Sequence, residues 1–104
     1  MDTFSSEINV HYKKVNIRSQ RTKWGSCSSY GNLNFNLKLI ALLEELIEYV
    51  IFHELNQIKN PYHNKAFWNS ISLKYPDYKK KEILLTGFWF LLNENEIWNN
   101  LIFN

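Results

Sequence analysis

The chain has a single cysteine, Cys27, so it cannot close a disulfide within itself. One thiol and no signal-peptide pattern predict a reducing, cytoplasmic setting. Its only methionine is Met1, which excludes any motif that needs a methionine farther along. No uninterrupted apolar run is long enough to span a bilayer. Residues 39–52 come nearest, and Glu44, Glu45 and Glu48 interrupt them. A formal net charge of +2 is too small to imply a nucleic-acid or membrane partner. Internal repeats are absent. What is present is enough apolar and aromatic material, 45% and 16% of residues, to fold rather than stay disordered. At 104 residues it is read as one domain, residues 1–104, with a modest core.

The hydrophobic pattern predicts an α+β fold. Residues 1–10 are polar and unpatterned, a frayed start. Residues 12–20 alternate in part, with Val15 and Ile17 opposite Asn16 and Arg18, and read as a strand. Residues 23–31 are rich in turn formers. Residues 32–38 alternate cleanly, with Leu33, Phe35 and Leu37 against Asn32, Asn34, Asn36 and Lys38. The expectation is a hairpin of 15–21 and 32–38 joined by a long loop, with a central helix over 46–59 packed beneath it. Two further helices follow. One covers 63–74, with Ala66, Phe67, Ile71 and Leu73 available for packing, and ends at Tyr75-Pro76. The other begins near Tyr78 behind Asp77 as cap and is heavily apolar through residues 88–92. Gly87 weakens it by about 1 kcal/mol relative to alanine.

The central helix carries the chemistry. At about 100° per residue, Leu46, Ile47, Val50, Ile51 and Ile58 share a broad apolar face, and Glu45, Glu48, Tyr49, Asn56 and Lys59 share the other. His53, Glu54 and Gln57 fall on the apolar face. Polar groups turned toward a core need partners, since each one left unpaired costs about 1–3 kcal/mol. A metal ion supplies one. His53 and Gln57 stand one turn apart, and Glu54 lies beside them, which is the layout of H-E-x-x-H zinc hydrolases with glutamine at the second histidine. The plain alternative is a helix with a satisfied core histidine. His63 favours the metal. Asn60 can take the left-handed conformation that ends a helix, and Pro61 cannot continue one. The chain then turns back, and His63 can approach His53. Its spacing matches the third histidine of the metzincin pattern, with Asn60 where that pattern has glycine. The absent downstream methionine argues against that family.

Four ordered motifs carry a resemblance to a known family. Arg21-Thr22-Lys23-Trp24-Gly25-Ser26-Cys27-Ser28 with Gly31-Asn32-Leu33-Asn34-Phe35-Asn36 forms the first. Tyr49-Val50-Ile51-Phe52-His53-Glu54-Leu55, His63-Asn64-Lys65-Ala66-Phe67-Trp68 and Pro76-Asp77-Tyr78-Lys79 follow. Across residues 15–81 the chain resembles the YgjP-like metallopeptidases. The resemblance implies a small α+β zincin domain, related to SprT-like and WLM peptidases, with a zinc held by three histidines and a glutamate base. Carried over by residue, His53 and His63 are zinc ligands and Glu54 is the general base. Gln57 stands at the remaining ligand position, where the family has histidine. Family members also carry more chain before the hairpin, so the resemblance implies a shortened N-terminus.

Such a site hydrolyses peptide bonds. Zinc with three protein ligands keeps a water in the fourth position and lowers its pKa to about 7. Glu54 takes the proton as the water attacks and later delivers it to the leaving amine. The strand over residues 33–37 is expected to pair with an extended peptide, as sheet edges do. The Gln57 amide is a poorer zinc ligand than imidazole, so zinc is expected to bind weakly and activity to be impaired. Two alternatives come from other classes. One is a non-catalytic descendant that binds peptide or protein without hydrolysis. The other is a nucleic-acid-binding module using Lys13, Lys14, Arg18, Arg21, Lys23 and Lys38, which read more plainly as a solvated face. Trp24 and Cys27 are read as packing residues, with Cys27 as ligand the alternative. His11 reads as an exposed side chain, and the aromatic run near Trp89 as core or an oligomer contact.

Overall fold

The computed structural model describes residues 2–7, 10–19, 23–28 and 30–103, the side chains at 2, 40 and 93–103 excepted. Arg21 and Thr22 of the first motif, and the expected strand end at 20–21, lie outside the described residues. The elements in order are α1 (Asp2–Glu7), β1 (Lys14–Arg18), β2 (Gly25–Cys27), β3 (Asn32–Asn36), a 3-10 turn (Leu37–Ala41), α2 (Glu44–Lys59), α3 (Lys65–Lys74) and α4 (Tyr78–Phe103). The α+β class is as the pattern predicts, with a hairpin on a central helix and two helices after it.

The hairpin uses a different first strand from the one expected. β3 is the middle of a three-stranded sheet, ordered β1-β3-β2. β2 runs antiparallel to β3, pairing Ser26 with Asn34, and β1 runs parallel to β3, pairing Val15 with Leu33. So β1 cannot be the hairpin partner. β2 is three residues long, too short to show alternation, and it sits in the stretch that reads as turn. The connection to β3 closes tightly. Gly31 N–H donates to Ser28 O at 3.1 Å, and Ser28 N–H donates to Asn32 O at 2.9 Å. Gly31 takes a φ of 85°, which L side chains rarely adopt. Strand β3 also stops two residues early. Asn36 turns inward, donates to Lys23 O and caps the 3-10 turn by accepting from Lys38 N–H, which leaves Leu37 half exposed.

Beneath the sheet, Leu33 and Phe35 meet Leu46, Val50 and Leu55 of α2, with Phe67 and Ile71 of α3 completing the core. Glu44 and Glu45 lie in the first turn of α2, where its dipole favours negative charge. The helix begins two residues before the expected start. Its polar face is narrower than a two-faced reading gives, because Tyr49 and Asn56 are fully buried. Each has a partner on a later helix. Tyr49 packs edge-on against Tyr75, with centroids 5.2 Å apart, and Asn56 donates to Phe67 O at 3.3 Å. Asn60 ends α2 with φ −128° and ψ 83°, not in the left-handed conformation, and Pro61 follows.

Helix α3 starts at Lys65, with Asn64 accepting from Phe67 N–H at 2.9 Å as its cap. Phe67 and Ile71 are buried as expected, whereas Ala66 and Leu73 face solvent. Asp77 precedes α4, its carboxylate 3.5 Å from Lys81 Nζ. The frayed start is instead a helix. Phe4 of α1 meets Phe52 edge-on at 5.7 Å, and Lys74 Nζ sits 4.9 Å from the Phe4 ring and 2.9 Å from Glu7. These contacts lie far along the chain, so no local pattern announces them. Among the described residues no helix is long and apolar enough to cross a membrane.

Candidate active site

An open cleft of about 390 Å³ lies between β2, α2 and the start of α4, lined among others by Cys27, Tyr49, His53, Glu54, His63 and Glu82. Four residues singled out from sequence, His53, Glu54, Gln57 and His63, come together on it. His53, Glu54 and Gln57 lie within one turn of α2. His63 reaches them from the loop that the α2 break creates. The imidazole centroids of His53 and His63 are 5.3 Å apart. Phe67, fully buried, sets both rings, at 4.9 Å from His53 and 4.8 Å from His63.

Hydrogen bonds fix the polar atoms. Glu54 is buried, and its Oε1 lies 3.3 Å from His53 Nδ1. The Gln57 amide is oriented by what it faces. Its nitrogen donates to Glu54 Oε2 at 2.8 Å and Oε1 at 3.2 Å, and its oxygen accepts from His63 Nε2–H at 2.9 Å. Gln57 thus bridges the carboxylate and the second imidazole, and it selects the His63 tautomer with the proton on Nε2. Gly25 leaves room for this arrangement. A Cβ there would stand 3.1 Å from Glu54 Cγ.

Glu82 is the cleft residue that the motif reading misses. Glu82 on α4 lies with its Oε1 3.7 Å from His53 Nε2 and accepts from the Tyr49 hydroxyl at 2.6 Å. The register of α4 could have found it, because Glu82 lies on one helical stripe with Tyr78, Leu85 and Trp89. Trp24 ties α4 to the sheet, donating from Nε1 to Leu85 O at 3.2 Å and meeting Trp89 edge-on at 5.0 Å. Burial, with the Tyr49–Glu82 bond added, pushes the Tyr49 hydroxyl far above the usual phenol range. Burial and the Glu54 charge push the Cys27 thiol up to about 11. Trp24 and Cys27 pack against the core, as their plain reading has it.

As they stand, no three His, Cys, Asp or Glu side chains among the described residues form a group that could hold a metal ion. Imidazole and carboxylate are donor types that zinc takes. His53 Nδ1 is taken by Glu54, which leaves Nε2 toward Glu82, and His63 Nε2 is engaged by the Gln57 amide.

A buried glutamate following a histidine on a central helix, under a short edge strand, is the arrangement of a metallopeptidase-like domain. The sequence model of the YgjP-like metallopeptidase domain matches residues 1–87, and the chain belongs to that family. Two solved structures are similar. The metallopeptidase zymogen abylysin of Pyrococcus abyssi is 26% identical with a TM-score of 0.68, over 79% of this chain and 82% of that one. The metallopeptidase zymogen jannalysin of Methanocaldococcus jannaschii is 24% identical with a TM-score of 0.69, over 86% of this chain and 91% of that one, and it speaks for the fold alone. No protein of curated function matches the chain.

Proposed function

We propose that this chain is a single-domain, cytoplasmic zinc peptidase whose hydrolytic power is reduced by Gln57. The observation that carries the reading is the convergence of His53, Glu54 and His63 on one cleft beside a free strand edge. His53 and His63 would hold the zinc, with the Gln57 amide beside them. A bound zinc polarises the scissile carbonyl and acidifies water. Glu54 has the position of the base. It is buried, it accepts from the Gln57 N–H, and it can take a proton and return it to the leaving amine.

The peptide would lie along β2 rather than β3. Both edges of β3 are bonded within the sheet, which corrects the expectation that residues 33–37 receive the substrate. In an antiparallel ladder alternate residues bond the partner. Asn36 N–H donates to Trp24 O and Ser28 N–H donates to Asn32 O, so Gly25 and Cys27 present their N–H and C=O groups to the open side. An extended peptide bonded there would pass over Glu54, whose Cγ lies 3.1 Å from where a Cβ on Gly25 would stand.

One observation favours a second reading, peptide binding without hydrolysis. The Gln57 bridge satisfies Glu54 and His63 with no ion between them. Zinc affinity and cleavage of an unstructured peptide separate the two. The expected result is weak zinc binding and slow cleavage by the parent chain, both improved at least about tenfold in Gln57→His. Glu54→Gln in that background should keep the zinc and abolish cleavage. If Gln57→His neither binds zinc more tightly nor cleaves, the peptidase reading fails.

A further inference from the structure

We propose that Glu82, rather than Gln57, is the third protein ligand of the metal this cleft binds. The inference rests on the reading of His53 and His63 as ligands and adds a residue outside all four motifs. Its basis is the geometry around His53 Nε2. The 3.7 Å from Nε2 to Glu82 Oε1 is too long for a hydrogen bond. It is close to the roughly 3.4 Å that separates two ligand atoms on a tetrahedral zinc with bonds of about 2.0–2.1 Å. His53 is held so that Nε2 points toward Glu82, because Glu54 takes Nδ1.

Glu82 is also held in place. Tyr49, fully buried on α2 one turn before His53, donates its hydroxyl to Glu82 Oε1 at 2.6 Å. A ligating carboxylate anchored by an outer hydrogen bond is the usual way such a group is fixed. The anchor comes from the same helix as His53, so ligand and anchor cannot drift apart. Trp24 fixes α4 one turn further on through Leu85 O.

The chemistry of the alternatives decides between them. Gln57 is neutral, and both ends of its amide are engaged, with Glu54 and with His63. To bind a metal through its oxygen it would have to surrender the His63 bond. Glu82 brings a charge, and two histidines with one glutamate is a ligand set that catalytic zinc sites use. The three side chains do not form a metal group as they stand; His63 has to exchange the Gln57 amide for the ion, its proton passing from Nε2 to Nδ1.

The test is metal binding, measured with Zn²⁺ alone by competition against a chromophoric chelator. The proteins are the parent, Glu82→Gln, Tyr49→Phe and Gln57→Ala, each checked for an unchanged melting curve in metal-free buffer. Glu82 is partly exposed, so Glu82→Gln should fold normally. The expected result is one zinc per parent chain, affinity lower by at least about tenfold in Glu82→Gln, a smaller loss in Tyr49→Phe, and tighter binding in Gln57→Ala, which removes the amide that competes for His63. Cobalt substitution adds a spectroscopic readout, with the visible absorption bands shifting in Glu82→Gln. If the parent binds zinc and Glu82→Gln binds it equally well, the assignment of Glu82 is overturned while the site reading stands. If neither the parent nor Gln57→His binds zinc, both are overturned.

Discussion

Gly25 is the position where a single methyl group tests the packing of the whole site. Its φ is not in the left-handed region, so Gly25→Ala meets no backbone objection and the question is one of space alone. An added Cβ would lie 3.1 Å from Asn34 O, 3.1 Å from Glu54 Cγ and 3.3 Å from Phe35 Cδ1. Carbon atoms prefer about 3.5–4.0 Å, so all three neighbours must give by a few tenths of an ångström. None gives easily. Asn34 O belongs to the middle strand of the sheet, Phe35 is a buried core ring, and Glu54 is held by Gln57 and His53.

Overpacking a well-filled site costs about 1–3 kcal/mol. Against it stands about 0.4–1 kcal/mol gained because alanine restricts the unfolded chain. The net expectation is a loss of about 1–2 kcal/mol. For a domain of this size 1 kcal/mol shifts Tm by about 4–8 °C, so Gly25→Ala should melt roughly 5–15 °C lower. Paired thermal and urea melts of parent and variant measure it. A variant as stable as the parent, or more stable, would refute the close approach of β2 to Glu54 and the packing that holds this side chain.

Three other substitutions or treatments read different terms. Gly87 lies in the middle of α4 with nothing within 4 Å of its Cβ position, so Gly87→Ala should stabilise by up to about 1 kcal/mol, and a Tm that falls in a thermal melt counts against this part of α4. Asn56→Asp places a carboxylate against Phe67 O in a fully buried spot and should cost about 3 kcal/mol or more at pH 7. Burial raises the new carboxyl's pKa in the folded state, so the deficit relative to parent grows as pH rises above the unfolded value of about 3.9 and shrinks toward pH 4; urea melts at the two pH values check the sign. With its thiol at about 11 against an ordinary 9.0, folded Cys27 should react with iodoacetamide at pH 8 about a hundredfold more slowly than in urea, and equal rates would contradict its burial beside Glu54.

How far the sequence discloses this molecule depends on how local each signal is. The α2 and α3 helices, the alternation of β3 and the break at Asn60-Pro61 are written in neighbouring residues, and each stands within two residues of its expected place. The sheet partners are not local. β1 alternates whether it pairs parallel or antiparallel, and β2 has three residues, so topology cannot be read from either. Tyr49 and Asn56 look solvent-facing because the helical wheel sees one buried side of α2. Later helices cover a second side, where Tyr49 meets Tyr75 and Asn56 meets Phe67. The short α1 depends on Phe52 and Lys74, which its own sequence cannot name.

The site divides along the same line. His53, Glu54 and Gln57 share one helical turn, and His63 follows a forced break, so spacing alone brings them together. Glu82 lies 25 residues beyond Gln57, and only the packing of α4 through Trp24 sets it beside His53. That distance changes what Gln57 means. Judged within its own motif, the glutamine is a lost imidazole and the cleft a weakened zinc site. Judged with the α4 carboxylate 3.7 Å from His53 Nε2, it is free for another task. It donates to Glu54 and accepts from His63, so it links that carboxylate to the second imidazole on the wall of the cleft. A histidine at 57 would supply a nitrogen to a metal, but without the amide's carbonyl oxygen it could not make that bridge in the same form. The bridge therefore ties the state of Glu54 to the position of His63.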